Sequence, residues 1–147
     1  MKYLKHELYM FSEESKWHKA CVRYEKEFCR IKHKFPKAFV AEMLENHAFH
    51  DSCVHRLALD MVRPGEEVLC IEMSDGYDSG IRHTLILRGV STLKMNNMLW
   101  ESWLYTEVLP QKKGRLSLEV AFSGMETFGS LYVEFDKLEY SYETPSL

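Results

Sequence analysis

The spacing of apolar residues changes once along this chain, between residues 50 and 53, and that change limits the fold more than any other feature. Upstream, Trp17, Ala20, Cys21, Tyr24, Phe28 and Ile31 recur at intervals of three and four, with Lys16, Lys19, Glu25, Lys26 and Lys32 filling the other positions. Such intervals put the apolar side chains on one face of an α-helix. Downstream the period is two: Leu57, Leu59 and Met61 alternate with Arg56, Ala58 and Asp60, and Leu69, Ile71 and Met73 with Cys70 and Glu72. Strict alternation belongs to a strand with one buried face. The chain is therefore helical first and sheet-forming afterwards.

Ser12 followed by Glu13 and Glu14 reads as a helix cap with acids in the first turn. Phe35 precedes Pro36 and is pushed out of helical conformation, so the spacing predicts one helix over about 12–34. Pro36 can open a second helix over about 36–47, with Phe39, Val40, Met43 and Leu44 inward. In the sheet part, "RPGE", "SDGYDSG" and "PQKKG" mark turns. Between them, Ile81 to Leu87 and Leu116 to Phe122 alternate, as does the longer stretch "MLWESWLYTEVL". In the last segment the apolar parity changes from Leu131, Val133 and Phe135 to Leu138, Tyr140 and Tyr142, and a bulge or break near Asp136 and Lys137 would restore one inward face. The expectation is a single α+β domain over 1–147. Two N-terminal helices precede a curled, mostly antiparallel sheet of about six strands over about 53–142, with the first helix across its apolar face.

Composition narrows the function. Apolar residues at 46% and charged residues at 28% are those of a folded globular chain. A net charge of −3 argues against nucleic acid as a partner. Residues 1–50 carry ten Lys/Arg against seven Asp/Glu, and residues 51–147 nine against fifteen, so the sheet part holds an excess of six negative charges. An acidic surface of that kind steers a basic partner. No apolar run approaches the ~18 residues of a membrane span, and "MKYLKHELYMF" lacks the apolar centre of a signal peptide. Four cysteines without CxxC spacing fit reduced thiols and a cytoplasmic location.

Chemistry-bearing residues gather in "NHAFHDSCVHRLALD", residues 46–60. On an unbroken helix His47, His50 and Asp51 would share a face and, with His55, could hold a zinc or iron ion for a metal-dependent hydrolase. The period change falls inside this stretch, however, so "FHDS" reads as a turn. There His50, Asp51 and Ser52 are expected to join neighbouring strands by hydrogen bonds. His55 shares the parity of Leu57 and Leu59 and should point to the core edge. Residues 75–80, "DGYDSG", hold too few ligands for a calcium loop. On a strand Trp100 and Trp103 would face opposite ways, so that Trp100, Trp103 and Tyr105 are candidate anchors for a partner.

Taken together, "MKYLKHELY", "FHDSCVHRLALD" and "EEVLCIEM" resemble a family of small bacterial cytoplasmic proteins of uncharacterised function, which open with Met-Lys-Tyr and carry His-Asp-Ser before a β-meander. The resemblance covers about a quarter of the chain and points to His50, Asp51 and Ser52 as the shared motif; Cys53 and His55 depart from it. It implies no catalytic residues and no cofactor. The layout is also similar to immunity proteins of bacterial toxin systems. The leading expectation is a non-enzymatic, protein-binding or immunity-type role, with a protein partner or self-association on the acidic, aromatic-bearing sheet. The alternatives are the metal-dependent hydrolase and a module that binds a small molecule between helix and sheet.

Overall fold

A computed structural model describes residues 1–5, 9–10, 13–76, 79–97, 102–123 and 128–146. Helix α1 spans Glu14–Ile31 and buries Ala20, Tyr24, Phe28 and Ile31, the face that the spacing predicts. It ends earlier than 34, in a 3-10 turn over Lys32–Lys34. Ser12 lies outside the described residues, and Glu13 occupies the capping position without a side-chain cap bond. Phe35 is extended, at φ −116° and ψ 155°, as its place before proline demands. Pro36 stands before the first helical turn instead of within it, and helix α2 runs Lys37–Glu45. Its buried face is Phe39, Glu42 and Met43, while Leu44 is exposed. The expected Leu44 gives way because residues 39, 42 and 43 share a helical face, which carries Glu42 inward with its apolar neighbours.

Among the described residues eight strands follow: β1 (Cys53–Met61), β2 (Glu67–Ser74), β3 (Arg82–Arg88), β4 (Thr92–Asn96), β5 (Trp103–Pro110), β6 (Leu116–Phe122), β7 (Gly129–Phe135) and β8 (Lys137–Glu143). They form two four-stranded antiparallel sheets, ordered β1-β2-β3-β8 and β4-β7-β6-β5. This corrects the single sheet of six strands. One missing strand is β4, only five residues long, in which just Leu93 and Met95 alternate with polar neighbours, too short a run to stand out. The other arises at Asp136, where the parity change noted in the sequence is a break between β7 and β8 and the chain passes from one sheet to the other. Strands that switch sheets at such bends form the corners of two-sheet folds.

The opposing bend, between β3 and β4, holds Gly89 at φ +67°. A Cβ there would lie 2.2 Å from Asp136 Oδ2, so glycine is required on both conformational and steric grounds. Arg115, just before β6, fastens the two bends together: Nη1 donates to Asp136 Oδ1 (2.8 Å) and Nη2 to the Gly89 carbonyl (2.6 Å). The inner faces of both sheets contribute to one core. Leu69, Ile71, Leu85 and Leu87 come from the first sheet, and Val108, Leu118, Val120, Leu131 and Val133 from the second.

Strand β5 is the edge of the second sheet and is covered. Helix α1 packs against it, and the Tyr24 hydroxyl accepts a hydrogen bond from the Val108 backbone N–H (2.8 Å). Such cover removes an edge that would otherwise pair with another chain. Residues 1–4 close over β5 and β6. The buried Glu107 carboxylate accepts backbone N–H bonds from Lys2 (2.7 Å), Tyr3 (2.7 Å) and Leu4, and the Met1 amino group pairs with Glu119. No helix among the described residues is long and apolar enough to cross a membrane.

Candidate functional site

The chain does not go straight from α2 to β1. It makes a left-handed turn in which His47 (φ 65°), Ala48 (φ 52°) and Phe49 (φ 66°) all have positive φ; His50 then returns to φ −53° and Asp51 again has φ 66°. L-residues pay roughly 1–2 kcal/mol each in this region, and alanine and phenylalanine lack the local hydrogen bonding that eases histidine or aspartate into it. The turn therefore persists only because its surroundings determine it. Asp51 N donates to the Trp103 carbonyl (2.7 Å), and Trp103 N to the Ser52 carbonyl (2.9 Å). The Trp103 indole Nε1 donates to Thr106 Oγ1 (2.6 Å), which donates in turn to the Ala48 carbonyl (2.9 Å). Phe49 is driven into the core, 5.6 Å from Trp103 and 6.0 Å from Phe39, ring centre to ring centre.

The β2–β3 loop completes the junction. Gly76 lies so close to the turn that a Cβ would stand 1.9 Å from the Asp51 carbonyl oxygen. This close approach accounts for a glycine in "DGYDSG"; Tyr77 and Asp78 lie outside the described residues. Gly76→Ala is expected to lower stability by about 2–3 kcal/mol, since backbone has to move. Gly65→Ala, in the open β1–β2 turn at φ +82°, should cost only about 1 kcal/mol of conformational strain. Urea denaturation of the two variants separates contact from strain.

The residues expected at this junction are only partly together. The His50 Nδ1 and Asp51 Oδ2 atoms are 3.1 Å apart, and the His50 ring lies 6.2 Å from that of Tyr105. Ser52 is buried. The Asp51 backbone N–H links the turn to strand β5 through the Trp103 carbonyl. His55 does not point to the core. A bulge between Val54 and Arg56 turns Val54 inward and leaves His55 exposed, with Nε2 2.7 Å from Ser74 Oγ. His55 thus stands apart from His47, and among the described residues no three metal-ligating side chains converge. Trp103 is fully buried and so is no surface anchor; the β5 bulge between Trp103 and Tyr105 tucks its ring against Phe122 and Phe49. Tyr105 is buried too, and Trp100 lies outside the described residues.

His47 and His50 form a wall between two cavities. The larger, about 440 Å³, lies beneath α1 and α2 against the start of β5 and is lined by Trp17, Cys21, Glu25, Ala48, Leu104 and Tyr105. Three aromatic rings pack together there: Tyr9 to Trp17 at 5.3 Å, Trp17 to Tyr105 at 5.0 Å, and Tyr9 to Tyr105 at 6.0 Å. Burial pushes the Tyr105 phenol up to about 12 and raises the Cys21 thiol. Both therefore stay protonated near neutral pH, and Cys21 offers packing and a weak donor rather than a thiolate.

The smaller cavity, about 320 Å³, is lined by Glu42, Asp75, Ser52 and His83 beside the same histidines. Burial raises the Glu42 carboxyl, and the nearby Asp75 adds to the effect; Asn46 Nδ2, 3.3 Å away, and the Phe49 backbone oppose it. Burial lowers His83, whose Nδ1 lies 2.9 Å from the Tyr140 hydroxyl and whose ring stacks on that tyrosine. Burial thus shifts both Glu42 and His83 toward their uncharged forms.

Sequence reasoning missed Glu42 and His83, and read Trp17, Cys21 and Tyr24 as helix-face packing alone. A charged residue on a short helix defaults to solvent, and cavity lining has the same spacing as core. Of the cavity-lining residues, the sequence singles out His47, His50, Ser52 and Tyr105. No known family model, curated protein sequence or solved structure matches the chain.

Proposed function

We propose that this protein binds a small, largely apolar ligand with a planar ring system in the cleft beneath α1 and α2. The observation that carries the reading is the cavity of about 440 Å³ lined by Trp17, Tyr105 and Tyr9, with Glu25, His47 and His50 among its few polar groups. Small-molecule sites commonly have this size and this make-up, an apolar and aromatic lining with a handful of polar groups that orient the ligand. The aromatic faces favour stacked or edge-on contact with a ring, and the histidines supply donors or acceptors to a polar substituent. The tightly held turn at 47–50 supports the reading as well, because a rigid wall keeps its histidines in place before the ligand arrives.

Titration with N-phenyl-1-naphthylamine, a neutral fluorescent probe of apolar sites, tests the proposal. Saturable binding near one probe per chain is expected, with quenching of Trp17 emission that is lost in Trp17→Phe. Cys21→Trp, which fills the cleft from α1, should weaken binding by about tenfold or more, while circular dichroism shows the fold retained. Binding that is unsaturable, or unaffected by Cys21→Trp, would refute the reading.

A further inference from the structure

Strand β1 is an outer strand of the first sheet, and among the described residues no further strand runs along its free edge. Beyond its pairing with β2, its one bridge to a described residue joins Cys53 to Ser102. It is nine residues long and holds no proline or lysine; its charged residues are Arg56 and Asp60, and its bulge lies toward one end, between Val54 and Arg56. Its apolar parity is also uncovered: Leu59 is 49% exposed and Met61 70%, and Val62 follows, also exposed.

We propose that β1 pairs antiparallel with β1 of a second copy of this chain, joining the two first sheets across a two-fold axis at Ala58. The charges fix the register. Arg56 and Asp60 lie on the outer face of β1 and stand two residues either side of Ala58. Pairing centred on Ala58 sets each Arg56 opposite the other copy's Asp60, twice by symmetry. It also places Leu57 opposite Leu59 on the apolar face, twice. Centring on Leu57 instead sets Arg56 against Ala58, and centring on Leu59 sets it against Val62, so both neighbouring registers leave the charges unmatched. Paired residues have the same parity about such an axis, so outward backbone N–H groups meet outward carbonyls. Arg56 already holds Glu72 of its own chain at 2.9 Å through Nη1, and the remaining donors of its planar fork are available to a second carboxylate. The bulge at Val54 and Arg56 sets one end of the ladder and the turn after Val62 the other.

Sedimentation equilibrium over micromolar to millimolar protein, at low and high salt, tests this inference. A reversible dimer that weakens with salt is expected. Asp60→Arg should weaken it by about tenfold, by facing Arg56 with a like charge at both symmetric positions. Arg56→Asp should do the same, and the double variant Arg56→Asp/Asp60→Arg should restore it. Leu59→Lys should leave a folded monomer with an unchanged far-ultraviolet spectrum. A protein that stays monomeric throughout, or a dimer indifferent to the single reversals or not rescued by the double one, would overturn the proposal. Probe binding in the cleft is read separately, so neither result decides the other.

Discussion

Trp103→Ala is expected to lower stability by about 3–5 kcal/mol, the largest single effect in this molecule. The side chain is wholly buried, with Phe122 at 5.5 Å and Phe49 at 5.6 Å between ring centres. Its removal leaves a void among residues that belong to two strands and a turn, and these cannot all close on it. The loss goes beyond volume. The indole N–H holds Thr106, and Thr106 holds the Ala48 carbonyl in the left-handed turn. The variant thus weakens the surroundings that sustain unfavourable backbone at His47, Ala48 and Phe49. Trp103→Phe keeps most of the ring but not the donor, and should cost roughly half as much. Denaturation followed by circular dichroism, which does not depend on the deleted fluorophore, provides the measurement. A cost of less than about 1 kcal/mol for Trp103→Ala would mean that the turn stands without this tie.

Glu107→Ala should come next, at about 3 kcal/mol. A carboxylate with no exposed surface would be anomalous inside a sheet edge were it not for its three backbone donors, the N–H groups of Lys2, Tyr3 and Leu4. Charge-assisted bonds of this kind are roughly twice as strong as neutral ones. Removing the acceptor leaves three donors with nothing to bind, so residues 1–4 are expected to lift away into water. Amide hydrogen exchange shows this directly: the amides of Lys2, Tyr3 and Leu4 should be protected in the native protein and exchange freely in the variant. Glu107→Gln should fall between the two, since its amide keeps one acceptor oxygen and turns an NH₂ group toward the same donors. Retained protection in Glu107→Ala would show that Leu4, buried in the core, anchors the segment by itself.

Much of the architecture was legible in the sequence, because period alone separates a helix from a strand with one buried face. The face of α1 and the break at Asp136 followed from it, and the turn after Val62 from the Arg-Pro-Gly-Glu stretch. What stayed hidden has two physical sources. Strands such as β4, at an edge and mostly exposed, carry no burial pattern to read. Local backbone choices made by distant partners leave no trace in their own residues: nothing in Ala48 or Phe49 announces positive φ, which is imposed by Thr106, Trp103 and the core. The bulge that exposes His55 and the one that buries Trp103 are likewise settled across strands. For the site, His47 and His50 drew attention because they gather with Asp51 and His55 in one short stretch. Glu42 and His83 did not, because their significance lies in being buried, and burial of a lone polar residue belongs to the tertiary structure.

The dependence of so much on β5 has a consequence for how the molecule assembles. Tyr24 reaches Val108 across 84 residues of chain, and Leu4 reaches Glu107 across 103. Neither early helix nor opening segment can therefore settle until a strand from the final third is in place. Closing loops of that size sacrifices chain freedom before any contact compensates for it. Acquisition of the native state should accordingly be slow for a chain of this length, with α1 waiting, its aromatic face unpartnered, for the strand that gives it a seat.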